Sequence, residues 1–238
     1  MSVTTGTTAT TVAPAVAEDA PRHGAQLARV TAGLCIAGAG ALIFAGFVAT
    51  PWDGSPATIA MMRAYLAHPM QAQIAAVLLH FGYLLLIPAA FALARLARRG
   101  ARRLSNTGLV LSVIGAGFSG LVVTDFFALN MAQHLPLQIA ARVFDSGSHY
   151  HLGIGLIGMT SNIGAIVGLV LLAVAAWRAG WVSWVPAVLI LAGFVVVFMA
   201  HTVLVGGAGS GLVFVGLALL AARVLRGSDA EWEDGRPG

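Results

Sequence analysis

Four ionisable side chains, His80, Asp125, His151 and His201, fall within or at one end of long apolar runs. Imidazole and carboxylate together are the groups that relay protons near neutral pH, and the same pair ligates metal ions. Helix rise places His80 roughly 9 Å and Asp125 roughly 5–8 Å inside their runs, with His151 and His201 within about a turn of the boundary. Four groups on four different segments thus share one layer. An ionisable residue inside a membrane segment is costly and is retained mainly for function.

Acid–base chemistry on a lipophilic substrate is the leading reading. Asp125 serves as the acid, and His80 or His201 as the base. Tyr83, Phe118, Phe126, Asn162 and Phe198 fall near the same layer and would line the substrate's place. Aromatic surroundings suit a carboxyl group that donates a proton. The reading resembles membrane-embedded cyclases and isomerases in type of chemistry, and needs no cofactor. The alternative is a metal- or haem-binding membrane module, with His80, His151 and His201 as ligands to a metal ion or haem b. The chain has no HExxH motif, and its one cysteine, Cys35, excludes a Cys cage and covalent CxxCH haem. A structural or transport component is the third class, although no inverted repeat is evident. The run Gly117-Phe118-Ser119-Gly120 matches the GxSG of rhomboid proteases. Ser119 lies about two turns deeper than His201, however, and its helix runs the wrong way.

The elements that position these groups follow from composition. Of 238 residues 58% are hydrophobic and only 9% are charged, against about 25% charged in a soluble domain. That excludes a solvated globular surface, a disordered chain and a basic nucleic-acid binder. Apolar runs at 27–50, 72–95, 106–129, 151–177, 182–203 and 205–225 are each long enough to cross about 30 Å of hydrocarbon. The expected fold is an all-α bundle of six transmembrane helices. Residues 1–25 read as a disordered cytoplasmic tail, 26–226 as the membrane domain, and 227–238 as an acidic cytoplasmic tail with a solvated end.

Arginine placement sets the orientation. Arg95, Arg98, Arg99, Arg102 and Arg103 crowd one connection, and Arg22, Arg29, Arg178, Arg223, Arg226 and Arg236 share its side. Only Arg63 and Arg142 fall on the other. The positive-inside rule puts both termini in the cytoplasm and the His/Asp layer outside, with the inner (plasma) membrane as the expected location. The lipid bilayer is the expected partner, and the oligomeric state is open.

Two of the outer connections read as short interfacial helices. Ser55 and Pro56 look like an N-cap and first helical residue, followed by Ile59, Met62 and Leu66 on one face. Pro136 opens a second, with Leu137, Ala141 and Phe144 at helical spacing. The stretch from Ala67-His68-Pro69 through the arginine cluster to Gly120, together with Arg178 to Gly193, resembles small six-span bacterial membrane proteins of unknown function. That resemblance implies six helices and assigns no functional residue.

Overall fold

The computed structural model describes residues 22–116, 123–150 and 152–235, which form ten helices and no strand. They are α1 (Arg22–Ala49), α2 (Thr58–Ala67), α3 (Pro69–Ala97), α4 (Arg102–Ala116) and α5 (Val123–His134). α6 (Leu137–Tyr150), α7 (Leu152–Arg178), α8 (Val185–Phe198), α9 (Val203–Arg226) and α10 (Asp229–Asp234) complete the order. Four segments, Gly24–Ala49, Pro69–Ala97, Thr160–Arg178 and Val203–Arg226, are long and apolar enough to cross a membrane. Their outward faces carry exposed Leu27, Phe81, Phe91, Ile163, Leu204 and Val215, a surface that water would not tolerate at this density.

The fifth apolar run, 182–203, yields a shorter helix. α8 has 14 residues and rises about 21 Å, short of the hydrocarbon thickness. It stops at Phe198 because Thr202 begins the next helix, its hydroxyl accepting from the Val205 N–H at 3.3 Å. Hydropathy does not sense such a cap. α4 is likewise short of a full span within the described residues, at 15.

The main core runs through the bundle, with Ile36 and Ile43 of α1, Leu86 and Leu93 of α3, Leu172 of α7 and Leu217 of α9 fully enclosed. α1 lies along α3 and α9, α4 along α7, and α8 along α9. Small residues set the closest crossings, as expected where no hydrophobic effect drives helices together. At the α4–α7 crossing a Cβ added to Gly164 would stand 2.6 Å from the Leu111 carbonyl oxygen and 2.8 Å from the Gly115 nitrogen. One added to Gly193 of α8 would meet the Gly209 carbonyl oxygen of α9 at 2.6 Å.

The acidic C-terminal segment is a docked helix where the sequence reads as a solvated end. Ser228 and Glu231 form a reciprocal capping box, and Gly235 closes the helix at φ +61°. Arg29 Nε donates to Asp229 at 2.9 Å and Arg223 Nη2 to Glu231 at 3.1 Å. Trp232 is 4% exposed and lies 5.0 Å beneath the Arg95 guanidinium.

Candidate functional site

At the end of the bundle remote from the arginine cluster, α2, α5, α6 and the start of α3 build a second, smaller core. Met62, Tyr65, Ala72, Ala128, Leu129 and Ala140 are its buried centre. The sequence makes this lid from two punctuated turns. After Gly54, the Ser55 hydroxyl accepts from the Ala57 N–H at 3.2 Å. That local bond moves the start of α2 to Thr58, with Ala57 at the N-cap, two residues beyond the cap expected at Ser55. Pro136 starts α6 as expected, its carbonyl accepting from Ile139 and Ala140. Thr58 Oγ1 donates to Asp145 Oδ1 at 2.5 Å and ties the two short helices together. The Arg63–Asp53 pair at 3.3 Å is open to solvent and adds little.

Asp125 lies in the first turn of α5 and turns toward this lid. The Tyr65 phenol donates a hydrogen bond to its carboxylate. Tyr65 is 5% exposed, so the pair joins a lid helix to the bundle beneath it. Its neighbours on α5 part company. Phe126 packs against the main core and Phe127 faces outward.

Burial, with the Asp125 carboxylate beside it, pushes the Tyr65 phenol well above its ordinary value of 10.0. Tyr65 therefore remains a donor through the working range. A folded-state value above the unfolded one gives stability that is complete below the unfolded value and lost as pH climbs past it. The thermal midpoint of the wild type is expected to fall more steeply above pH 10 than that of Tyr65→Phe. Parallel profiles in thermal unfolding would show that Tyr65 ionises freely.

The remaining expected residues divide into three groups. Tyr83, Asn162 and Phe198 come together, with Phe47, Phe194 and Val197, around an enclosed cavity of about 50 Å³. At roughly 30 Å³ per water it accepts one or two waters as it stands. Tyr83 is enclosed, whereas Phe198 is 59% exposed and forms the cavity's outward wall. His80, half-buried on α3, stands edge-on to Phe81 at 5.4 Å. α3 packs on α5, and Ala72 shares the lid core with Ala128 and Leu129. Because the two helices run in opposite directions, His80 comes about one turn deeper than Asp125. His201 is half-buried in the α8–α9 connection, following Ala200, and not in the last turn of a helix.

Phe118 and His151 lie outside the described residues, as does the Gly117–Gly120 run. Among the described residues no three His, Cys, Asp or Glu side chains gather closely enough to hold a metal ion. His134 Nδ1 pairs with the Asn130 carbonyl at 2.8 Å, one turn back on its own helix. Sequence reasoning passes over Tyr65 because attention falls on spans. Its signal is the i, i+3 relation to Met62, which puts the phenol on the buried face of α2.

No family model, no curated protein and no solved structure matches this chain. Function has therefore to be read from the site.

Proposed function

We propose that this chain is a small membrane-embedded enzyme performing acid–base chemistry, of cyclase or isomerase type, on a lipophilic substrate. It crosses the plasma membrane six times, with both termini in the cytoplasm and α2 and α6 lying in the outer interface. Residues 106–129 and 182–203, longer than the helices α4 and α8 that they overlap, supply the two spans beyond the four long helices. The Tyr65–Asp125 hydrogen bond carries the reading. A buried phenol holds the one carboxyl group of an apolar run in place beneath a lid, where its protonated form can deliver a proton to a substrate and not to water.

In this scheme the protonated Asp125 carboxyl group gives its proton to the substrate and His80 takes the proton that leaves. Exchange with water then reprotonates Asp125 and deprotonates His80 before the next turnover. Packing of α3 on α5 favours His80 over His201 for that role. The cavity between Tyr83, Asn162 and Phe198 marks the path by which a lipophile enters from the bilayer. At about 50 Å³ it is below the several hundred Å³ typical of a ligand pocket, so entry requires the exposed Phe198 ring to swing aside. Acid–base turnover on carbon leaves a solvent proton in the product. The protein in nanodiscs, incubated in D₂O with apolar cell extract, is expected to yield a lipophile carrying deuterium by mass spectrometry. His80→Gln is expected to abolish that signal. An extract in which no component gains deuterium over a protein-free control sinks the proposal.

A further inference from the structure

The opposite end of the molecule carries a second arrangement that acid–base chemistry does not use. Arg95 in the last turn of α3, Arg98 at its C-cap and Arg102 opening α4 are all exposed. Together with Asn106 they line a cleft of about 510 Å³ on the α3–α4 flank, along with Phe91, Ala94 and Leu109. Among the described residues no acidic side chain lines this cleft. On the other flank of α3 a cleft of about 580 Å³ runs between α1 and α3 and is lined almost wholly by apolar groups, among them Leu27 and Pro88. Phe91 and Arg95 line both clefts. The exposed Phe91 ring thus stands between an arginine-lined cleft, apolar only along Ala94 and Leu109, and an apolar trough, with Arg95 bordering both.

We infer that the cytoplasmic end of α3 and α4 binds one diacyl anionic phospholipid, its chains straddling Phe91 and its phosphate held by Arg95, Arg98, Arg102 and Asn106. The chemistry selects this occupant. A free phosphate or nucleotide would leave the apolar α1–α3 trough and the Phe91–Leu109 side of the arginine cleft empty, and a zwitterionic lipid would leave exposed arginines without a counter-charge. Basic pockets between helices on the cytoplasmic side are the recurring form of anionic headgroup sites. Arginine suits phosphate through its paired N–H donors.

Among the described residues, Glu233 and Asp234 of the docked C-terminal helix share another cleft with Arg95, Arg98, Arg99 and Arg102. Arg95 is further steadied over Trp232. The acidic helix therefore covers one side of the cluster and leaves the α3–α4 side for the lipid. The site rests on the orientation proposed above, but on none of the groups assigned to catalysis.

The test is native mass spectrometry of the full chain extracted from vesicles of phosphatidylcholine doped with phosphatidylglycerol. Retention of one phosphatidylglycerol is expected. The Arg98→Gln/Arg102→Gln pair is expected to cut it roughly tenfold. Arg178→Gln/Arg226→Gln removes the same charge elsewhere on that face and is expected to change retention less than about twofold. Lyso-phosphatidylglycerol, with one chain, is expected to be held less well than the diacyl lipid. Equal losses in both double variants would reduce the effect to diffuse surface charge and overturn the site. Displacement by glycerol 1-phosphate at the lipid's own concentration would make it a free-phosphate site, and equal retention of phosphatidylcholine would remove the charge selection. Because the readout is lipid retention, its failure is distinguishable from a failure of the deuterium assay.

Discussion

Gly164→Leu is expected to destabilise the folded protein by more than about 3 kcal/mol, read as a collapse of the thermal midpoint in detergent. At the α4–α7 crossing the atoms facing Gly164 are backbone, the Leu111 carbonyl and the Gly115 nitrogen, so no side chain can rotate away. Even Gly164→Ala must lengthen a 2.6 Å approach to the ordinary 3.4 Å, which needs about 0.8 Å of helix separation along the whole crossing. Separation of that size forfeits dispersion from every neighbouring pair, and in lipid there is little else to hold the helices. A graded loss from Gly to Ala to Leu is therefore expected. Gly211→Ala supplies the comparison, because its new Cβ would meet the Phe44 ring at 3.6 Å, an ordinary contact. Equal midpoints for the Gly164 and Gly211 variants would show that the crossing is not close-packed.

The same crossing bears on the site. α7 brings Asn162 to the cavity two residues before Gly164. A bundle pried open at Gly164 would misplace it.

How far these features can be read in the chain depends on which physics sets them. Membrane-length helices are legible because hydropathy and rise per residue set them, as in α1, α3 and α9. The short helices α2 and α6 are legible because Pro56 and Pro136 punctuate the chain and the apolar residues recur at helical spacing. The exact start of α2 is not, since Ser55 spends its hydroxyl on the Ala57 N–H. α8 is over-read by hydropathy because Ala200 and His201 are compatible with a helix, and only the Thr202 cap ends it. Trp232 is hidden among five polar or small neighbours on α10, yet Ser228 and Glu231 stand at capping-box spacing. Tyr65 is the instructive omission. A search confined to the spans finds Asp125 without its hydrogen-bond donor, since the donor comes from an element that spacing marks only as amphipathic.

Asp125→Asn is expected to lower turnover of the lipophilic substrate by about 10²- to 10⁴-fold, the usual contribution of a positioned general acid. The substitution is nearly isosteric, and the amide oxygen still accepts from the Tyr65 phenol, so the lid stays seated and the thermal midpoint should hold. Only the transferable proton is lost. Asp125→Ala differs in kind, because it strands a buried phenol without an acceptor and adds an instability of about 1–3 kcal/mol. Tyr65→Phe keeps the carboxyl group and removes its anchor, so a smaller loss of rate is expected, with the pH profile displaced and not flattened. The three variants separate catalysis from packing: a purely structural Asp125 predicts that Asp125→Asn behaves as wild type and Asp125→Ala alone fails. Turnover within twofold of wild type in Asp125→Asn would remove Asp125 as the acid. The Tyr65 hydrogen bond would then stand as a device for holding the lid helix to the bundle.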